Sequence, residues 1–194
     1  MSDDGTLVFR ESVDRESIVA FARRLGWASS GDVQRGHFVL ASERFTTSDG
    51  TTVEYLEDHT SDVRFVQISG PSLHTVGSIL RESFPHYDAD TLLGALPDAD
   101  DPLDWIRGLS RLAVYRPELT HPRYLALWSR ALNHADTAVR RAAIRTSFGC
   151  RWPELLPLVL GRAAIDRELE RPLEALARHL KSLAAGGATT RPSA

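Results

Sequence analysis

Three residue types are nearly absent from the 194-residue sequence, which holds one cysteine, one methionine and one lysine. Cys150 has no second cysteine with which to form an internal disulfide, so we interpret it as a small buried residue in a reducing compartment. Purely apolar runs such as Leu158–Leu160 are short, whereas a membrane-spanning helix needs about 18 residues. Met1–Gly5 has neither the basic start nor the apolar core of a secretion signal. We therefore expect a soluble, cytoplasmic protein without a membrane partner.

The sequence motifs of common catalytic and nucleotide sites are also missing. There is no Gly-x-Ser-x-Gly elbow for a nucleophilic serine, no Gly-x-Gly-x-x-Gly loop and no Gly-Lys-Ser/Thr triplet for phosphate groups. The glycines lie instead at scattered turn positions. The sequence therefore favours binding over catalysis, and we expect no catalytic residue and no cofactor.

One polar cluster, formed by Glu54, Glu57, Asp58, His59 and Asp62, suggests a metal site or an acid–base pair. It lacks the glycine-punctuated alternation of a calcium loop, and one histidine is too few for a typical zinc site. A solvated turn between two strands explains the same residues, so no metal site is predicted. An enzyme acting through Asp58 and His59 stays open as the weakest alternative.

Charge is distributed unevenly along the chain, although the formal net charge is only −3. Residues 1–100 hold 17 acidic and 8 basic side chains, whereas residues 101–194 hold 9 acidic and 15 basic ones. The basic half could dock on the acidic half or attract an anionic partner, and the sequence does not separate these possibilities.

The first 86 residues combine helix and strand patterns and predict one small α+β domain. Asp14 is a suitable N-cap for an amphipathic helix that ends near Gly26, with Val13 and Ile18 placed to pack across its first turn. β-Branched and aromatic residues then predict three consecutive antiparallel strands, and Leu7–Phe9 predicts a fourth at an edge. The three strands fall within Gly36–Thr47, Thr52–Tyr55 and Val63–Ile68, and a second helix starts at Pro71 and ends near Phe84.

From Asp88 onward, strand patterns disappear and short helices alternate with Pro, Gly and Asp. Leu127–Asp136 aligns with Pro157–Asp166 at an offset of 30 residues, and Asp ends both segments. A repeat of this length accommodates two helices of about three turns with tight turns between them. The predicted helix pairs are 89–97 with 102–115, 122–133 with 136–148, and 152–163 with 166–183.

The segment Asp136–Ala143 resembles the start of the second helix of a HEAT repeat, where Asp is followed by Val-Arg and then by small residues. In such a helix Asp136 caps the N-terminus, Val139 points into the stack and Ala143 lets the neighbouring helix approach closely. Ile106–Arg107 looks like an earlier copy of the motif. A later copy at residues 169–173 departs from it, because Glu replaces Arg and proline interrupts the first turns.

The resemblance covers the C-terminal half and implies a short α-solenoid. The predicted fold class is α+β, with a small antiparallel sheet and two helices followed by about three HEAT-like pairs. The predicted domains are a capping domain over 1–86, a helical repeat domain over 87–183 and a disordered tail over 184–194.

A binding surface follows from the same resemblance, because the second helices of HEAT-like pairs commonly line one surface of the stack. Arg141, Arg145, Arg171 and also Arg111 are then candidates for a basic stripe. The alternative is a solvated face in which Arg140 pairs with Asp136 or with an Asp of a neighbouring repeat. Trp128 and Trp152 are candidate partner contacts, although tryptophan at such positions also serves as core.

The sequence favours a protein-interaction module that binds a protein partner through the helical repeats. An adaptor, an assembly factor and an immunity-type protein all fit this interpretation. The alternative is a nucleic-acid-binding protein, because some HEAT-like proteins are DNA glycosylases that grip the backbone with a basic face. The excess of basic residues is modest for that role.

Overall fold

The computed structural model of the chain describes residues 5–32, 41–58, 62–115, 121–150 and 152–187. The chain divides into two compact units, Met1–Leu92 and Leu93–Ala194. The boundary falls slightly after the predicted one, because a short strand at His86–Tyr87 pairs with the first strand of the first unit. A sheet with two helices precedes a helical unit, which confirms the α+β class.

The described part of the first unit forms a six-stranded sheet in which every neighbouring pair is antiparallel. The order of the strands across the sheet is β2-β3-β4-β5-β1-β6. The strands are β1 (Thr6–Phe9), β2 (Ala28–Asp32), β3 (Ala41–Thr46), β4 (Thr52–Asp58), β5 (Val63–Ser69) and β6 (His86–Tyr87).

The three consecutive strands predicted from the sequence correspond to β3, β4 and β5. Residues 38–40 of the first predicted run lie outside the described residues. The edge position predicted for β1 is wrong, because β1 pairs with β5 on one side and with β6 on the other. Its residues Leu7, Val8 and Phe9 are all buried, as expected for a strand inside a sheet.

Two helices, α1 (Arg15–Arg24) and α2 (Leu73–Ser83), complete the first unit. The predicted cap is confirmed, since a carboxylate oxygen of Asp14 accepts a hydrogen bond from the Ser17 amide at 2.8 Å. α2 begins at Leu73, so Pro71 lies in the preceding turn rather than in the helix. Apolar side chains of both helices join one face of the sheet in a single core. That core contains Leu7, Phe9, Val13, Ile18, Phe21, Ala22, Phe45, Val53, Tyr55, Val66, Ile68, Val76 and Leu80.

The second unit is helical, and its helices match the predicted pairs closely. A short 3₁₀ turn at Leu96–Asp98 follows the helix that ends at Ala95, and another at Pro153–Leu155 precedes the helix that begins at Leu156. The helices after the sheet are α3 (Ala89–Ala95), which spans the boundary between the units, and α4 (Pro102–Tyr115), α5 (Pro122–Leu132), α6 (Thr137–Ser147), α7 (Leu156–Ala163) and α8 (Glu170–Gly187).

Helices at equivalent positions of successive pairs are neighbours. α4 contacts α6 and α6 contacts α8, while α5 contacts α7. α6 and α8 run parallel, because Arg141 at the start of α6 lies near Glu168, and Phe148 after its end packs on His179. Helices 30 residues apart therefore lie side by side in the same direction.

The last helix differs from its prediction at both ends. Pro172 lies in the first turn of α8, where a backbone N–H has no partner within the helix, so the helix starts without disruption. The helix continues to Gly187, although the disordered tail was predicted to begin at 184. Of the four added residues, Ala184 and Ala185 have the highest helix propensity, whereas Gly186 and Gly187, which disfavour a helix interior, lie at the end of the helix. Residues 188–194 lie outside the described residues.

Gly70, in the turn after β5, should be intolerant of a side chain. Its φ is +125°, and a Cβ there would lie 2.8 Å from the Thr51 Cα. We expect Gly70→Ala to lower the free energy of unfolding by about 2–4 kcal/mol, measured by urea denaturation.

Gly50→Ala is the matched control, since Gly50 also has a positive φ, +85°, but no atom lies within 4 Å of its Cβ position. Only the backbone strain of about 1 kcal/mol applies there. Equal losses in the two variants would contradict the steric explanation for Gly70.

Candidate functional site

The structure separates the predicted binding residues into an exposed and a buried group. Arg141, Arg145 and Arg171 are exposed on α6 and α8. Arg111 is buried on α4, with 9% of its surface exposed, so it does not lie on the surface of the other three.

Trp128 and Trp152 are core residues, with 0% and 1% of their surface exposed. Their ring centroids are 5.5 Å apart in an edge-to-face arrangement, and Tyr124 packs edge-to-face on Trp152 at 5.3 Å. This aromatic cluster joins α5 to the 3₁₀ turn before α7. The two tryptophans cannot contact a partner in this conformation, which corrects their assignment to the binding surface.

The outward face of α6 is a single stripe. Ala138, Arg141, Arg145 and Phe148 are exposed at helical spacing, while Val139, Ala142, Ala143 and Ile144 are buried. The stripe therefore presents two guanidinium groups and ends on an aromatic ring that is 41% exposed.

The outward face of α8 carries the equivalent residues of the next pair. Arg171, Glu174, Arg178 and Lys181 are exposed at helical spacing. At an offset of 30 residues, Arg171 corresponds to Arg141 and Arg178 to Phe148. The sequence pattern predicts Arg141 and Arg171 as candidates for the basic stripe but does not include residue 178. We define the basic face as Arg141, Arg145, Arg171, Arg178 and Lys181.

Ion pairing on the basic face is weak. Arg141 lies 3.7 Å from a Glu168 oxygen, but the two side chains are 66% and 58% exposed. A surface pair of this kind contributes at most about 1 kcal/mol, so it does not hold Arg141 against a partner's carboxylate. A guanidinium nitrogen of Arg145 lies 3.5 Å from the Ser110 hydroxyl of α4. Five cations share these two helix faces with three carboxylates, Glu168, Glu170 and Glu174, which leaves the surface positive.

A buried ion pair lies directly beneath this face. The Arg140 Nε donates to an Asp166 oxygen at 2.7 Å, and an Nη of Arg162 donates to the same oxygen at 3.0 Å. Another nitrogen of Arg140 donates to the carbonyls of His134 and Ala135. Arg140 therefore pairs with an Asp of the following helix pair, as the alternative interpretation supposed, but the ion pair is buried and does not lie on a solvated face.

Asp166 is well placed to remain ionised. Burial opposes the charge, but the hydrogen bonds from Arg162 and Arg140, together with the positive charge of Arg140, outweigh it and hold the pKa of Asp166 below its ordinary value. The other carboxylate oxygen accepts from the Leu169 amide, which ties the turn before α8 to α6.

The acidic segment of the first unit does not converge on a site within the described residues. Glu54 and Glu57 project from opposite faces of β4, because the side chains of a strand alternate. Glu54 lies 3.6 Å from Arg44, while Glu57 accepts a hydrogen bond from the Tyr55 hydroxyl at 2.7 Å. Burial raises the pKa of Tyr55, and the hydrogen bond to Glu57 adds to the effect.

The end of that segment forms a turn, with Asp62 at a φ of +52°. His59 lies outside the described residues. Within the described ranges, no group of three or more His, Cys, Asp or Glu side chains is arranged to hold a metal ion.

No protein-family model matches the chain, and neither the curated proteins nor the solved structures compared with it give a match. Among the described residues, no helix is both long enough and apolar enough to span a membrane.

Removing Asp166 should destabilise the second unit strongly. Asp166→Ala leaves the charges of Arg140 and Arg162 without their buried counter-ion, so we expect the free energy of unfolding to fall by about 3–5 kcal/mol. Glu168→Ala, which removes the exposed partner of Arg141, should cost less than about 1 kcal/mol. Thermal or urea denaturation monitored by tryptophan fluorescence measures both. A similar loss of free energy of unfolding in the two variants would contradict the distinction between the buried carboxylate of Asp166 and the exposed one of Glu168.

Stability should also fall in acid through Asp166. Its pKa in the folded state lies below the value of about 3.9 for an unfolded chain, so the unfolded state binds more protons as pH falls. The contribution of Asp166 is therefore complete above the unfolded pKa and is lost as pH falls through the folded pKa. Asp166→Asn should show a flatter loss of stability over that range. Identical acid profiles of the free energy of unfolding would refute the assignment.

Proposed function

We propose that the second unit is a short HEAT-like stack that binds an acidic surface of a protein partner through its basic face. The observation that carries the proposal is that exposed cations occupy matching outward positions on two parallel, adjacent helices. Arginine is enriched at protein interfaces because its planar guanidinium forms two hydrogen bonds with one carboxylate.

The HEAT-like assignment is supported by the arrangement of the helix pairs. Helices one repeat apart lie side by side, and Asp136 caps α6 by accepting from the Ala138 amide at 2.7 Å. Val139 and Ala143 are buried at the contact with neighbouring helices, as the motif requires. Arg140 then links its own repeat to the next one through Asp166.

A protein partner fits this surface better than a nucleic acid does. Glu168 and Glu174 lie among the cations and repel phosphate groups, and the whole chain carries a net charge of −3. The tryptophans Trp105, Trp128 and Trp152 are buried, so they offer no platform on which bases could stack. A mixed surface ending on the exposed ring of Phe148 suits a protein interface.

We also place this activity in the cytoplasm. The one cysteine, Cys150, is buried and forms no disulfide, which suits a reducing compartment. Adaptor, assembly factor and immunity-type protein remain three forms of the same proposal, since each works by occupying a partner's surface.

Reversing two charges of the basic face should weaken partner binding. The full chain, carried on beads, is used to capture proteins from the native cell, and each captured protein is then purified and titrated directly. Arg141→Glu/Arg145→Glu should weaken the dissociation constant at least about tenfold, because two attractive contacts become repulsive.

Arg23→Glu/Arg24→Glu provides the matched control, since it reverses two exposed arginines on α1 and changes the net charge equally. Binding that survives the α6 reversal, or that is lost equally in both variants, would contradict the proposal. A DNA oligonucleotide, single-stranded and duplex, tests the nucleic-acid alternative. Binding that falls steeply with salt and is lost in the α6 variant would replace the protein partner with a nucleic acid.

A further inference from the structure

The outward face of α7 is entirely apolar. Its exposed positions are Pro157, Leu160 and Gly161, and Ala164 and Ile165 are exposed directly after the helix. Leu160 is 44% exposed and Ile165 is 68% exposed. The one charged side chain of the helix, Arg162, is directed instead to Asp166. Exposed apolar area of this kind marks an interaction site rather than a solvated face.

The other helices of the second unit differ from α7 in this respect. α5 exposes Arg123 and Arg130, α4 exposes Asp104 and Arg107 beside Leu103, and the outward faces of α6 and α8 carry the basic face. Among the described residues, no helix covers the outward face of α7, which leaves its apolar side chains exposed.

We propose that α7 packs antiparallel against α7 of a second copy of this chain, about a two-fold axis near Leu160 and Gly161. In that pairing Leu160 meets Gly161 of the second copy, and Pro157 meets Ala164 of the second copy. A large side chain thus faces the gap left by a glycine, whose Cβ position has no atom within 4 Å in the single chain. Small residues at such a contact let two helices approach closely.

Charge at the two ends of the segment favours a second copy as the occupant. Glu154 is exposed just before α7, and Arg167 follows it with a side chain 82% exposed, 3.5 Å from Glu170. Because Glu154 precedes α7 and Arg167 lies in the turn that follows it, the same antiparallel pairing places the acidic end of one copy near the basic end of the other. The segment is acidic at its start, apolar in its middle and basic at its end. Two copies in antiparallel orientation are therefore complementary to each other.

The contact is small and the dimer is correspondingly weak. α7 has only eight residues, so the buried area falls below that of a standard stable interface, and a dissociation constant on the order of 10–100 µM is expected. The surface is separate from the basic face, so dimer formation and partner binding can each be lost without the other.

Cysteine cross-linking detects such a weak pair. Gly161→Cys should form a disulfide-linked dimer within minutes when an oxidant such as copper phenanthroline is added at about 50 µM protein. Ala126→Cys, at an exposed position on α5, is the matched control, and the unaltered chain sets the baseline because Cys150 is buried. Cross-linking of Gly161→Cys at least about tenfold faster than Ala126→Cys supports the proposal. Equal rates overturn it.

The direction of the pair is tested with two further variants. Pro157→Cys and Ala164→Cys should cross-link poorly alone but efficiently when mixed, because an antiparallel pair places residue 157 against residue 164. Efficient self-linking of each variant would indicate parallel packing and overturn the proposed arrangement.

Sedimentation equilibrium of the full chain provides a test without cross-linking. Leu160→Glu should raise the dissociation constant at least about tenfold, and circular dichroism checks that the variant is folded. Glu154→Arg should weaken the dimer, and adding Arg167→Glu in the same chain should restore it, since both copies then carry the reversed pair. A chain that stays monomeric at several hundred µM, about tenfold above the expected dissociation constant, overturns the proposal, as does a charge swap without rescue.

Discussion

The pairing of Arg140 with Asp166 is the contact on which the second unit depends most. Removing two charges from water costs several kcal/mol per ion, and that cost is offset only where the remaining donors and acceptors are satisfied. Arg140 meets that condition by also donating to the His134 and Ala135 carbonyls, and Asp166 by accepting from Arg162 and Leu169. The ion pair thereby holds the turn before α8 against the turn before α6. The same contact positions the exposed arginines at the starts of these helices, Arg141 and Arg171.

Two surfaces of contrasting chemistry result from this arrangement. α6 and α8 direct cations outward, whereas α7 directs only apolar side chains outward. Both helix classes need an apolar inward face to pack, so sequence freedom exists only at the outward positions. Packing of the second unit therefore does not determine the contrast between these outward positions.

Sequence patterns predicted the structural features that depend mainly on residues close together in the chain. The Asp14 cap, the strand pair β4–β5 and the helix pairs after residue 88 all follow from periodicity and capping, and the structure contains them. β2 was not predicted because Ala-Ser-Ser-Gly-Asp has no apolar alternation and is held by pairing with β3. Trp128 was assigned to the surface because its burial depends on Trp152, which is remote in sequence. Which side chains of the basic face are exposed likewise depends on how neighbouring helices pack, and the sequence of one helix does not specify this.

The interior position of β1 has a consequence for the growing polypeptide. The strand leaves the ribosome before the other five strands of the sheet, yet its two neighbours, β5 and β6, are synthesised much later. Until residues 63–69 and 86–87 emerge, the apolar side chains of Leu7, Val8 and Phe9 have no sheet to join. During synthesis of the first unit, β1 thus exposes apolar side chains until most of the unit has emerged. Chaperones commonly bind exposed apolar segments of this kind.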